Sequence, residues 1–208
     1  MFIGHHAAGL AGKHFAPRVS LGTLFLAAML LDLVWPLLVL LGIEHVRIAP
    51  GITRVTPLDF YDYPWTHSLL TVVILSIVVG FIARNWVVGT LVLSHWVLDF
   101  IAHRPDLPLW PHGPRVGLGL WNSLAGTVVV ECALFALGLY LYLRATTATD
   151  RTGTIALWAL VLFTLAIYAV NLASPPPPSA MAIGWAGLAA WLFVPWGYWI
   201  DRHRRVRA

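Results

Sequence analysis

Three acids lie inside apolar stretches of this chain with no lysine or arginine beside them: Asp32, Asp99 and Glu131. An ionised side chain in the middle of a bilayer costs on the order of several kcal/mol, and such residues usually mark function. Either these carboxyls are protonated, or a positive charge that the chain does not encode sits among them. The histidines point to the second. In SHWVLDFIAHRPD, His95, Asp99 and His103 follow one another at i, i+4 spacing, which aligns them on one helix face. His67, in YPWTHSLL, opens the preceding apolar run. Imidazole and carboxylate together suit zinc or a similar divalent ion, whose charge the carboxylates offset. Plainer readings stand beside this one. His95 and Asp99 would form a buried hydrogen-bonded pair, His67 would cap its span at the interface, and Glu131 would pair with a hydroxyl such as Thr127. His5 and His6 are adjacent, so one of the two faces any site. His14, His45, His112 and His203 sit among loop or terminal residues and read as solvated.

The composition says what must position these residues. Of 208 residues, 59% are hydrophobic and 11% charged, with a mean hydropathy of +0.79; soluble domains carry roughly a quarter charged residues. The expected fold class is therefore all-α, a polytopic membrane protein of five to six transmembrane helices plus a re-entrant N-terminal helix. The expected spans are Leu21–Leu41, His67–Ala83, Trp86–Ala102, Leu118–Leu143, Thr154–Ala173 and Ala180–Ile200, each near the ~20 apolar residues that crossing requires. The tight Arg84–Asn85 turn makes the second and third an antiparallel hairpin. The run SPPPPS (174–179) is a stiff connection that no helix continues through. Residues 43–66 form the longest polar loop and 103–117 the next. The chain reads as a single membrane domain, with motif-bearing helices over 1–145 and two further spans with a basic tail over 146–208.

The formal charge of +4 does not imply nucleic acid, because the arginines cluster at the ends of apolar runs. With the N-terminus in the cytoplasm, nine basic residues lie inside (Lys13, Arg18, Arg84, Arg144, Arg151, Arg202, Arg204, Arg205, Arg207) and four outside (Arg47, Arg54, Arg104, Arg115). Both termini are thus expected in the cytoplasm, with RHRRVR as a topology anchor. MFIGHHAAGLAGKHFAPR lacks the order of a signal peptide and reads as part of the mature protein. The lone Cys132 rules out an internal disulfide and a cysteine-based zinc site.

Helix rise supplies a depth check. If 16–18 is a turn with a short helix returning before it, Asp32 lies ~22 Å and His5 ~18 Å above Pro17. From the Arg84–Asn85 turn, His95 lies ~15 Å, Asp99 ~21 Å and His67 ~26 Å above, and Glu131 lies ~18 Å from the basic end of its span. One layer in the outer half of the bilayer accommodates them all.

The pieces Gly4–His5, Leu30–Leu31–Asp32 with Pro36, Thr66–Leu70 (THSLL), Ser94–Pro111 (SHxxxDxxxHRPDLPLWP), LGLWNS and Glu131 occur here in one order over roughly the first 145 residues. In this the chain resembles the membrane-bound metal-dependent hydrolase family, which includes LexA-binding, inner-membrane-associated members. That family is distantly similar to the zinc-dependent phospholipase C and single-strand nuclease superfamily. The resemblance implies a metal held by Asp32, His67, His95 and Asp99, and a second taking His5 and a bridging Asp99. His103 and Glu131 would serve a third, for which the matching second histidine is not identifiable; two ions are therefore the expectation, with a third left open. The pattern favours His5 over His6. The amino-terminal tryptophan ligand of the secreted enzymes is absent, and nothing in these residues supports an association with LexA.

The chemistry implied is metal-assisted hydrolysis, in which a divalent ion lowers the pKa of bound water and polarises a phosphoryl or acyl oxygen. Asp106 or Glu131, where not a ligand, is the candidate general base; Asn122, Tyr61 and Tyr63 are polar candidates at the rim. A site at that depth suits a phosphoester or other ester of a lipid or lipid-linked substrate, with zinc as the expected metal, membrane lipids as partners and the inner membrane as location. The competing class is a proton- or cation-coupled transporter relaying protons through Asp32, Asp99, Glu131 and the histidines. The missing internal repeat argues against it. HExxH, GxSxG and a glycine-rich phosphate loop are all lacking.

Overall fold

A computed structural model describes residues 1–207. It is 67% helix with a few short strands. Helix α1 (Ile3–Phe15) is buried along most of its length and packs chiefly against α7 (Leu124–Ala145). That contact is close because residue 138 is glycine: a Cβ there would run into the Ala7 backbone. After a turn at 16–20, α2 (Leu21–Ala28) starts at Ser20, whose hydroxyl accepts the Gly22 N–H at 3.3 Å. It packs beside α1, so the chain turns back as expected.

The stretch expected as one span at Leu21–Leu41 is broken. It becomes α2 and α3 (Leu30–Leu40), bent by 56° at Met29. Pro36 lies within α3, where it has no N–H for the ladder. Residues 43–66 are not an open loop. They form an antiparallel hairpin of β1 (His45–Ile48) and β2 (Leu58–Asp62), followed by the single turn α4 (Pro64–His67) with proline at its start. Ser68 is extended and caps α5 (Leu69–Ile82), so His67 stands at a helix break and not within a span. The hairpin partner α6 (Trp86–Ala102) follows the turn in which Arg84 takes a positive φ of 50°. Ser76 Oγ donates to the Gly89 carbonyl at 2.8 Å, and a side chain at Gly89 would collide with the Ser76 carbonyl.

Beyond α6, β3 (Leu107–Pro108) pairs with β4 (Arg115–Val116), and a 3-10 turn at Leu120–Asn122 precedes α7. Strand β5 (Thr146–Ala148) leads into α8 (Arg151–Ala173). The last helical run comprises α9 (Ala180–Gly187), a 3-10 segment and α10 (Phe193–Arg202). Residues of the basic tail form β6 (Arg204–Val206), which pairs with β5.

Among the described residues, three helical runs are long and apolar enough to cross a membrane: Leu124–Ala145, Arg151–Ala173 and Ala180–Arg202. The bent α2–α3 pair makes a fourth if counted as one span. This is fewer than the five to six expected. Helices α5 and α6, of 14 and 17 residues, are apolar but short, reaching only ~21 and ~26 Å against a hydrocarbon core of ~30 Å. The physical reason is that the ends away from the Arg84–Asn85 turn stop being helical at Ser68 and His103, where backbone and side chains serve polar contacts. Leu70, Ile74, Ile77, Phe81 and Ile82 on the outside of α5 are exposed, as are Ile155, Trp158, Leu162 and Val170 on α8. Two buried clusters of apolar side chains form the interior. One joins α1, α2, α7, α8 and α10; the other joins α2, α3, α5, α6 and the β1–β2 hairpin.

Candidate metal centre

The ends of α1, α3, α4 and α6 bring His5, Asp32, His67, His95, Asp99 and His103 together. His95 is fully buried, and His5, His67, Asp99 and His103 are nearly so. The Asp32 side chain is the exception, at 42% exposed. His95 Nε2 lies 3.6 Å from Asp32 Oδ1 and 3.2 Å from Asp99 Oδ2. His67 Nε2 lies 3.6 Å from Asp32 Oδ1 and 3.7 Å from Asp99 Oδ2. On the other oxygen of Asp99, His5 Nε2 is at 3.1 Å and His103 Nε2 at 3.9 Å, and the α-amino group of Met1 also bonds it. The rings of His5 and His95 stack, with centroids 3.6 Å apart.

The orientation of three imidazoles can be read from their far sides. His95 Nδ1 faces the Ala28 carbonyl at 2.9 Å, and a carbonyl only accepts, so Nδ1 carries the proton. Ala28 ends α2, where the last carbonyls have no intrahelical donor; the bend at Met29 thus gives His95 its anchor. Thr66 Oγ1 donates to Glu44 Oε2 at 2.6 Å and therefore accepts from His67 Nδ1 at 2.7 Å. His103 Nδ1 donates to Asp106 Oδ1 at 2.9 Å. In their neutral form all three rings therefore present a bare Nε2 lone pair towards carboxylate oxygens. Lone pairs and anions repel unless a proton or a metal ion lies between them.

The spacing fits such a cation. Two ligands ~2.0–2.1 Å from a tetrahedral zinc stand ~3.3–3.4 Å apart, and the four separations among His67, His95, Asp32 and Asp99 run from 3.2 to 3.7 Å. His95 Nε2 is buried and close to both acids, yet forms a hydrogen bond with neither. Two trios satisfy metal-ligand proximity, His67–His95–Asp99 and His5–Asp32–His95, with ligand atoms all within 4.8 Å of one another. The residues present therefore fit a divalent ion.

Other expected residues lie around the cluster. His6 turns away, bonding the Phe2 carbonyl through Nδ1 and packing edge-on against Phe193, so His5 is the one of the pair that faces the acids. Glu131 Oε2 accepts the N–H groups of Phe2 (2.9 Å) and Gly4 (3.3 Å), securing the start of α1, while Oε1 is buried without a partner. Thr127 donates to the Leu120 carbonyl and not to Glu131. Asp106 is engaged on three sides, by His103, by Tyr63 Oη at 3.2 Å and by Arg104 Nε at 3.1 Å. It stands behind His103, away from the converging nitrogens. Burial, and next the Asp106 carboxylate, hold the Tyr63 phenol well above its ordinary pKa, so it remains a proton donor. Tyr61 lies under Arg47 at the surface, and its carbonyl takes Arg115. His45 and His203 pair with Asp62 and Asp150 outside the cluster.

Several contributors were not evident in the sequence. Glu44 is almost fully buried and reaches the site through Thr66. Asp59 joins Arg47 and Arg104, clamping the β1–β2 hairpin to the 103–117 segment. The Met1 amine enters the cluster itself. Thr66 stood within a quoted motif, but nothing in its type or spacing separates a relay from a helix cap. Compared with protein-family models, curated proteins and solved structures, the chain matches none.

Proposed function

We propose that this chain is a membrane-embedded, zinc-dependent hydrolase acting on a phosphoester or other ester of a lipid or lipid-linked substrate, as its resemblance to the membrane-bound metal-dependent hydrolases implies. The observation that carries the reading is the convergence of three Nδ1-anchored histidines on Asp32 and Asp99. In this reading Asp32, His67, His95 and Asp99 would hold one ion; His5, His103 and the Asp99 oxygen that the Met1 amine bonds would hold another once that amine withdraws. Ions so held supply Lewis acidity and acidify coordinated water. The protein's own groups fix the ligand geometry, and the apolar surroundings restrict bulk water. Asp32 lines the side by which substrate reaches the cluster. Asp106 and Tyr63 orient His103, so the role of base passes from Asp106 to Glu131, whose Oε1 is free to take up a proton. The excess of basic residues at one end of the apolar runs supports a location in the inner membrane with both termini in the cytoplasm.

The test is elemental analysis of detergent-purified protein, wild type against Asp99→Asn, with turnover of a phosphoester and ester panel. About one or two equivalents of zinc in the wild type, a loss of ~100-fold or more in affinity in the variant, and hydrolysis abolished with it are expected. Less than one equivalent in both would overturn the metalloenzyme and favour a proton relay through the same acids and histidines.

A further inference from the structure

We infer that Glu44 is a positioning residue for this centre: through the Thr66 hydroxyl, its buried carboxylate holds His67 with Nε2 turned towards Asp32 and Asp99. The inference rests on the metal-site reading above and adds a group outside the converging set.

Glu44 follows α3 and precedes β1, and its side chain is buried against the start of α4. Its two oxygens have different partners. Oε1 accepts the backbone N–H groups of Trp65 (2.7 Å) and Thr66 (2.8 Å), which secures the first turn of α4. Oε2 takes the Thr66 hydroxyl alone, at 2.6 Å. A carboxylate that served only as a cap would not need this second contact. Because Glu44 can only accept, the hydroxyl hydrogen points to it, and the Thr66 oxygen is left to accept from His67. The relay therefore fixes one tautomer of His67 and one ring orientation. Outer partners of this kind typically change metal affinity 10–100-fold when removed. Of the three anchored histidines, His95 relies on a carbonyl and His103 on Asp106, whose carboxylate Arg104 also shares. Among the contacts of the described residues, Glu44 Oε2 is committed to Thr66 alone.

The division of labour between the two oxygens makes the idea testable. Thr66→Val keeps the shape and the backbone N–H that Oε1 accepts, and removes only the relay. Zinc affinity, measured by competition with a chelator in the purified full-length protein, should fall 10–100-fold in Thr66→Val and recover in Thr66→Ser. Glu44→Gln should weaken zinc binding on its own. In the Thr66→Val background it should add nothing further, since one chain of contacts is already broken. Thermal unfolding of the metal-free proteins separates this from a folding defect: Thr66→Val, which strands Glu44 Oε2, should unfold somewhat below the wild type but as one cooperative transition above the assay temperature. Equal affinity in wild type and Thr66→Val would overturn the role of Glu44 and leave the metal site standing. Additive losses in the double variant would likewise reject the relay. Failure of the wild type to bind zinc would remove both readings together.

Discussion

The two ends of α1 handle buried charge in opposite ways. At its C-terminal end, Lys13 lies 2.8 Å from Asp201 and also donates to the Val19 carbonyl. The Leu21 N–H and Tyr142 Oη complete the shell of Asp201. At the N-terminal end, Asp32 and Asp99 meet histidine nitrogens and the Met1 amine, with no lysine or arginine in reach among the described residues. A chain that supplies Lys13 for one buried acid is able to supply a cation for another. Apart from the Met1 amine on Asp99, it sets imidazoles against two carboxylates, three of them with Nδ1 already occupied, and that arrangement would suit the external cation of the proposed function.

The largest effect that would sharpen this contrast is at Lys13. Lys13→Met strands Asp201, and breaking a buried pair from one side typically costs about 3–5 kcal/mol. Thermal unfolding in detergent should register that loss, while zinc per folded molecule stays at the wild-type value. A parallel fall in zinc would show that the two ends are not separable. A smaller effect is expected from Asp106→Asn, which weakens the anchor of His103 and leaves His67 and His95 untouched. One zinc equivalent should bind ~10–100-fold more weakly with the other unchanged, as read by chelator titration. The smallest lies outside the apolar segments. The His203 hydrogen bond, followed by the Gly153 N–H, holds the exposed Asp150 carboxyl below its ordinary value of 3.8. A depressed carboxyl contributes stability above its unfolded pKa and loses it as pH falls through the folded one. Unfolding followed below about pH 4 should therefore show a slight acid-dependent loss in the wild type that Asp150→Ala lacks.

Much of the His/Asp cluster was legible because helix geometry is regular. The i, i+4 spacing of His95, Asp99 and His103 fixed a common face, and rise per residue placed Asp32 and His5 at a matching level. The breaks were less legible. The bend at Met29 and the extended Ser68 lie inside apolar runs whose composition continues through them, so Leu21–Leu41 and His67–Ala83 read as whole spans. The β1–β2 hairpin was hidden by the irregular, polar sequence of 43–66. Glu44 was hidden with it, because a carboxylate in a loop carries no sign of whether it will be buried. Asp106 had the residue type of a base, but its role depends on Tyr63 and Arg104, which only the folded loops bring to it.

The exposure of Asp32 has a kinetic side. Every other member of the cluster is fully or almost fully buried, so in the proposed centre an ion would enter and leave past this one carboxylate, and the lifetime of a loaded centre would be set there. Exchange then becomes separable from affinity: a bulky neighbour at that opening would lengthen residence without altering the ligands, and a wider opening would speed turnover of ions at unchanged occupancy.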